Sequence, residues 1–153
     1  MHGGKIAIVG ASETSEIGVL PDRSMIQLHA EAALNALADA GLSAADVDGV
    51  ATAGPLPVEV SHHLGITPRW LDGTAVGDCS VMLHVRHAAA AIAAGAADVV
   101  LITHGQSGRS RVGVGPTGRA PHRRRDSSRT RSDPRRRTRP SPCPRCGSCT
   151  IAA

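Results

Sequence analysis

The chain has 153 residues, a formal charge of +4, four cysteines, one tryptophan and neither Phe nor Tyr. No apolar run approaches the ~20 residues that span a bilayer, the start Met-His-Gly-Gly-Lys lacks the apolar core of a secretory signal, and three cysteines crowd near the end rather than forming a disulfide framework. These features predict a cytoplasmic protein with reduced thiols, no membrane span and a core of Ala, Val, Leu and Ile.

Charge divides the chain. Residues 1–108 hold four basic side chains (Lys5, Arg23, Arg69, Arg86) against eleven acidic ones, whereas residues 109–153 hold thirteen arginines against Asp126 and Asp133. The first part reads as a packed α/β segment. The second shows no hydrophobic period and reads as a basic, low-complexity, disordered tail.

Lys5–Ala11 (KIAIVGA) predicts a buried strand. Ser24 caps a helix over roughly 25–40, with Ile26, Ala30, Leu34 and Leu37 on an apolar stripe and Gln27, Glu31, Asn35 and Asp39 on a polar one. Gly41 stands where a helix-ending glycine belongs. Ser43–Asp48 predicts a single turn, Gly49–Ala53 a second strand, Pro57–Leu64 a short helix and Arg69–Leu71 a third strand. An alanine-rich helix runs from about Cys79 to Ala94 and stops at Gly95. Asp98–Thr103 (DVVLIT) is a fourth strand, and no strand is expected after it. Alternating strands and helices argue a mainly parallel sheet with helices on both faces.

Three stretches in order, KIAIVGASET, LHAEAALNALADAGLSAADVDGV and GDCSVMLHVRHAAAAIAAGAADVVLITHG, resemble the thiolase superfamily over residues 4–119. The likeness is to the sterol-carrier or lipid-transfer thiolase-like branch, which includes acetyl-CoA acetyltransferase-like proteins. It implies the N-terminal half of a five-layer αβαβα fold, usually dimeric. It implies acyl-CoA as substrate with no bound cofactor, and a cysteine thiolate at the start of the third helix. A His and a second Cys from a C-terminal half would handle protons. Physically, a helix N-terminus stabilises a thiolate and offers N–H groups to an oxyanion.

This chain departs from that pattern. Counting back from Gly95 places Asp78, a group not expected to be reactive, at the nucleophile position. Cys79 falls one residue late, about 100° around the helix, and Val81 stands where a small residue is usual. Cys79 is thus a candidate nucleophile or, alternatively, an ordinary cysteine packed as a small hydrophobe. Elsewhere, His84 and His87 share a helix face, with His62, His63 and His104 as further imidazoles. They read as packing or rim groups rather than metal ligands. Glu13, Glu16 and Asp22 read as a solvated loop face. Gly10 follows a strand without the glycines of a dinucleotide fingerprint.

From His122 onward the residues are Arg, Pro, Ser, Thr and Cys. Arg-rich runs bind polyanions, and Cys143-x-x-Cys146-x-x-Cys149 resembles a metal-binding fragment without a fourth ligand. A shifted reading frame explains more. Joining each third codon base to the next two allows Gly-Gln-Phe over Arg125–Ser128, Phe-Gly-Pro over Arg131–Pro134 and Phe-Thr-Val-Pro-Ala over Pro140–Arg145. Those resemble the family's continuation. The expectation is a truncated thiolase-family protein of acyl transfer or C–C cleavage in lipid or sterol metabolism, inactive as this chain. The alternatives are a non-catalytic lipid-transfer or partner subunit, a homo-oligomer if intact, and nucleic-acid binding through the tail.

Overall fold

The computed structural model describes residues 6–107, 110, 112 and 149–152. Residues 1–5, 108, 109, 111, 113–148 and 153, including Lys5, Cys143, Cys146 and most of the predicted tail, lie outside the described residues. The strands are β1 (Gly10–Glu13), β2 (Gly49–Ala53), β3 (Trp70–Asp72), β4 (Val100–His104) and β5 (Cys149–Ala152). The helices are α1 (Met25–Ala40), α2 (Pro57–Leu64) and α3 (Ser80–Ala93), with a single 3-10 turn at Ala44–Asp46. One sheet has the order β1-β5-β4-β2-β3. Strand β2 is parallel to β3 and β4, and β5 is antiparallel to both β1 and β4.

The helix ends follow local chemistry. Ser24 and Gln27 form a reciprocal cap at the start of α1, and Gly41 ends it in the left-handed region (φ 69°). Pro57 opens α2 and Gly65 closes it at φ 70°. Alternation along the strands then fills two layers. Val50 and Leu101 point to one face with Ala33, Leu37, Val60 and Ile66, from α1, α2 and the segment after α2. Ala51, Val100 and Ile102 point to the other, under Ala88 of α3 and beside Trp70, Val85 and Ile92. Helices therefore cover both faces, as the alternating pattern predicts.

Asp48 ties the strand entrances together. Its carboxylate accepts the backbone N–H of Asp98 (2.9 and 3.1 Å) and of Val99 (2.9 Å), and the Arg69 guanidinium, which also reaches Asp98 at 2.8 Å. Burial works to raise the Asp48 pKa, but Arg69 and the two N–H groups outweigh it and hold the carboxyl below its ordinary value.

Three expectations are corrected here. The first strand is Gly10–Glu13, not Lys5–Ala11, and Ile8 and Val9 are 55% and 51% exposed. The ladder places Gly10 opposite Ala152, so the apolar run lies before the paired segment. On α1, Leu34 is exposed while Leu28, His29 and Ala33 are buried, so the apolar stripe is rotated from the one expected. Third, a strand does follow Thr103, because Cys149–Ala152 lies between β1 and β4. Thr150 and Ile151 are β-branched residues suited to a strand.

Strand β1 sits close on α1. A Cβ added at Gly10 would lie 2.5 Å from the Ala36 carbonyl oxygen and 2.9 Å from the Ala40 Cβ. Gly10→Val should therefore destabilise the protein by about 1–3 kcal/mol, the cost of overpacking. Urea or thermal unfolding checks this, and an unchanged midpoint would mean that β1 does not pack on α1.

Candidate functional site

Parallel α/β sheets place their sites where strands end and helices begin. Here that edge collects the β3–α3 loop, the first turns of α3, and the residues after β2 and β4. Gly77 takes φ +91°, which lets the chain turn into α3. Ser80 is buried, donates to the Gly77 carbonyl (2.7 Å) and accepts the Val76 N–H (3.0 Å). These bonds fix the first turn of the helix.

The two candidate nucleophile positions stand on the outside of this turn. Asp78 is exposed. Cys79 is the residue capping α3 and is also exposed, contrary to a packed cysteine. The inward side of the turn is taken by Ser80, which leaves the preceding residues to solvent. The polar contact found for the thiol among the described residues is Val76 O, at 4.0 Å. No imidazole or carboxylate among the described residues makes a hydrogen bond to it.

The titratable groups of this edge are engaged elsewhere. Asp72 accepts the N–H (2.9 Å) and hydroxyl (2.6 Å) of Thr74 on one oxygen, and pairs with His87 Nδ1 (2.6 Å) on the other. Burial tends to raise its pKa, but the bonds from Thr74 and His87 prevail and lower it. His84 is fully buried and donates from Nε2 to the Thr74 carbonyl (2.9 Å). Burial lowers its pKa, and His87 and His104 add to this against the pull of Asp72.

His29, a residue the sequence placed in no role, is wholly buried on α1. Its Nε2–H donates to the Gly105 carbonyl (3.2 Å), and Nδ1 accepts the Thr103 hydroxyl (2.8 Å). Burial pushes its pKa down to about 4. The signal was available: His29 follows the buried Leu28 and precedes Ala30 on the helix.

His62 and His63 are exposed at the end of α2, away from this edge. Among the described residues no three His, Cys, Asp or Glu side chains come together to hold a metal, and no helix is long and apolar enough to cross a membrane. A cavity of about 340 Å³ lined by Ile6, Val9, Leu42 and Ile92 lies at the opposite end of the strands.

What the edge offers chemically is a helix N-terminus bearing a carboxylate and a solvent-facing thiol, backed by neutral, buried imidazoles. No protein-family model matches the chain. It is 38% identical over 119 residues to the 17-hydroxy-3-oxo-4-pregnene-20-carboxyl-CoA lyase of Mycobacterium tuberculosis, a match covering 75% of this chain and 31% of the relative. Among solved structures it is similar to the Ltp2-ChsH2(DUF35) aldolase, with 35% identity, a TM-score of 0.63, and 68% of this chain against 28% of that one. A monomeric SCP2-thiolase-like protein type 1 of Mycobacterium smegmatis is similar at 30% identity and a TM-score of 0.55, over 65% of this chain and 23% of the other.

The N-terminal part of the chain is thiolase-like, with its likeness in the sterol-carrier thiolase-like branch. The chain spans about a third of the length of the curated relatives it matches.

Proposed function

We propose that this chain carries the N-terminal part of a thiolase-fold lyase that cleaves a C–C bond in a steroid-like acyl-CoA, rather than an acyl-transferring thiolase. The observation that carries the reading is the pair Asp78 and Cys79. A thiolase needs a thiolate with a base in reach. Here a carboxylate, Asp78, stands where the family resemblance places the nucleophile, and the adjacent thiol faces solvent with no hydrogen-bonded base among the described residues. A retro-aldol cleavage needs no covalent acyl-enzyme. It needs a base for a hydroxyl proton and donors for the enolate oxygen. The names of the lyase and aldolase relatives agree with this chemistry.

In this reading the remaining catalytic groups come from a part of the fold that residues 109–153 do not provide. This chain alone is then inactive. The Arg-rich segment is an out-of-frame reading, and restoring one frame near Gly113–Arg119 yields a chain more than twice as long. The 119 matched residues are 31% of the lyase, which is therefore about two and a half times as long as this chain. The substrate is the CoA thioester, and the intact assembly is a homo-oligomer or is joined by a partner subunit, in the cytoplasm.

The test has two arms. Intact-mass analysis of this chain after incubation with short acyl-CoAs should show no acyl adduct on Cys79, and an adduct there would establish acyl transfer instead. The frame-restored chain should release a ketone and a shorter acyl-CoA from a β-hydroxyacyl-CoA. Stop codons soon after the same point in both alternative frames of the genomic DNA would defeat the frameshift.

A further inference from the structure

Strand β1 is the terminal strand of the described sheet, with β5 on one side and no strand on the other. The outer edge of such a strand presents N–H and C=O groups from alternate residues, a template for pairing with another chain. Here α1 takes those groups. The Ala11 N–H donates to Asp39 Oδ2 (3.1 Å), the Glu13 carbonyl accepts from Asn35 Nδ2 (3.0 Å), and the Ser15 N–H donates to Glu31 Oε1 (3.1 Å). The other Glu31 oxygen accepts from Arg23 Nη1 (2.5 Å).

The match is one of period and of chemistry. Four residues of helix advance about 6 Å and two residues of strand about 6.7 Å, so side chains at 31, 35 and 39 keep step with backbone groups at 15, 13 and 11. The two carboxylates, which only accept, meet N–H groups, and the amide between them donates to the carbonyl. One residue further along each turn stand Ala32, Ala36 and Ala40, small enough for the strand to lie close at Gly10. Gln27, the fourth member of the polar stripe, is engaged at the Ser24 cap. The stripe thus serves the backbone rather than solvent alone.

We propose that Glu31, Asn35 and Asp39 serve as a surrogate strand. They satisfy the outer edge of β1, hold it in register on α1, and close that edge to a strand from a second copy of this chain. A second copy is the competitor because an open β1 edge offers its own segment, Gly10–Glu13, an antiparallel mate, the arrangement that β5 already makes on the other side. The device governs self-association and the hold on β1, and it stands whatever reaction the fold carries.

The experiment sets polarity against charge. Asn35→Asp adds a charge but turns a carboxylate toward the Glu13 carbonyl, where a donor is needed. Asp39→Asn removes a charge but keeps an oxygen to accept the Ala11 N–H. Amide exchange and sedimentation are measured on the full chain at matched concentrations. Asn35→Asp should speed exchange at Gly10–Glu13 by about fivefold, the loss of one hydrogen bond, and increase self-association. Asn35→Ala, which favours the helix and adds no charge, should do the same, so that fraying of α1 is not the cause. Asp39→Asn should leave both readouts as in the unsubstituted chain. If the stripe were only a charged, solvated face, the order would reverse and Asp39→Asn would be the variant that associates. That reversal, unchanged exchange in Asn35→Asp, or faster exchange without added association overturns the proposal.

Discussion

Truncating the chain after Ser148 should unzip one side of the sheet. Strand β5 pairs residue by residue with β1, from Gly10↔Ala152 to Glu13↔Cys149, and with β4, from Leu101↔Ala152 to His104↔Cys149. Without it β1 has no strand neighbour and hangs on α1 alone, and β4 becomes an edge. The orphaned N–H and C=O groups can be met only by water or by another chain. Expected results are fast amide exchange at Gly10–Glu13, faster exchange along Val100–His104, a lower melting temperature and concentration-dependent association. Unaltered exchange in β1 would show that Cys149–Ala152 stands outside the domain, as the sequence led one to expect.

The second large effect is on pH. His29 has an ordinary pKa of 6.5 when unfolded and about 4 when folded, because burial disfavours the imidazolium. The unfolded chain therefore binds the proton first as pH falls. Stability is complete above pH 6.5 and is lost progressively between 6.5 and 4, by about 3 kcal/mol from this group. His84 is shifted in the same direction and adds to the loss. Asp48 and Asp72, whose pKa values are lowered, keep their contribution through this window and lose it only below the carboxylate range. Urea midpoints measured from pH 7.5 to 4 should fall steeply below 6.5. In His29→Gln the protein should be weaker at pH 7.5 but have a flatter profile, and an equally steep one would remove His29 as the cause.

Much of this fold was legible because its signals are local. The bounds of α1, β2 and α2 follow from Ser24, Gly41, Pro57 and Gly65, whose effects act within one turn of themselves. What was not legible depends on distant partners. The extent of β1 is fixed by residues 149–152, not by its own apolar run, so Ile8 and Val9 looked buried and are exposed. The core role of His29 rests on the Thr103 hydroxyl on β4 and the Gly105 carbonyl just after it, 74 and 76 residues away. At the candidate site, spacing placed Asp78 and Cys79 at the start of α3. Spacing could not say that the thiol faces solvent, since that follows from Ser80 taking the inward position.

The strand order also dictates a sequence of events in time. The parallel core of β2, β3 and β4 with α2 and α3 is complete within residues 49–104 and can condense early, from contacts of modest sequence separation. Strand β1 is made well before its partner and can dock on the sheet only after Cys149–Ala152 has been synthesised. Until then the nascent chain carries an open slot beside β4 and an unclaimed segment bearing Ile8 and Val9. Both are surfaces through which partly folded chains adhere to one another. Yield in the cell should accordingly depend on how fast that slot closes, and on chaperones that shield it, more than on the final stability of the closed sheet.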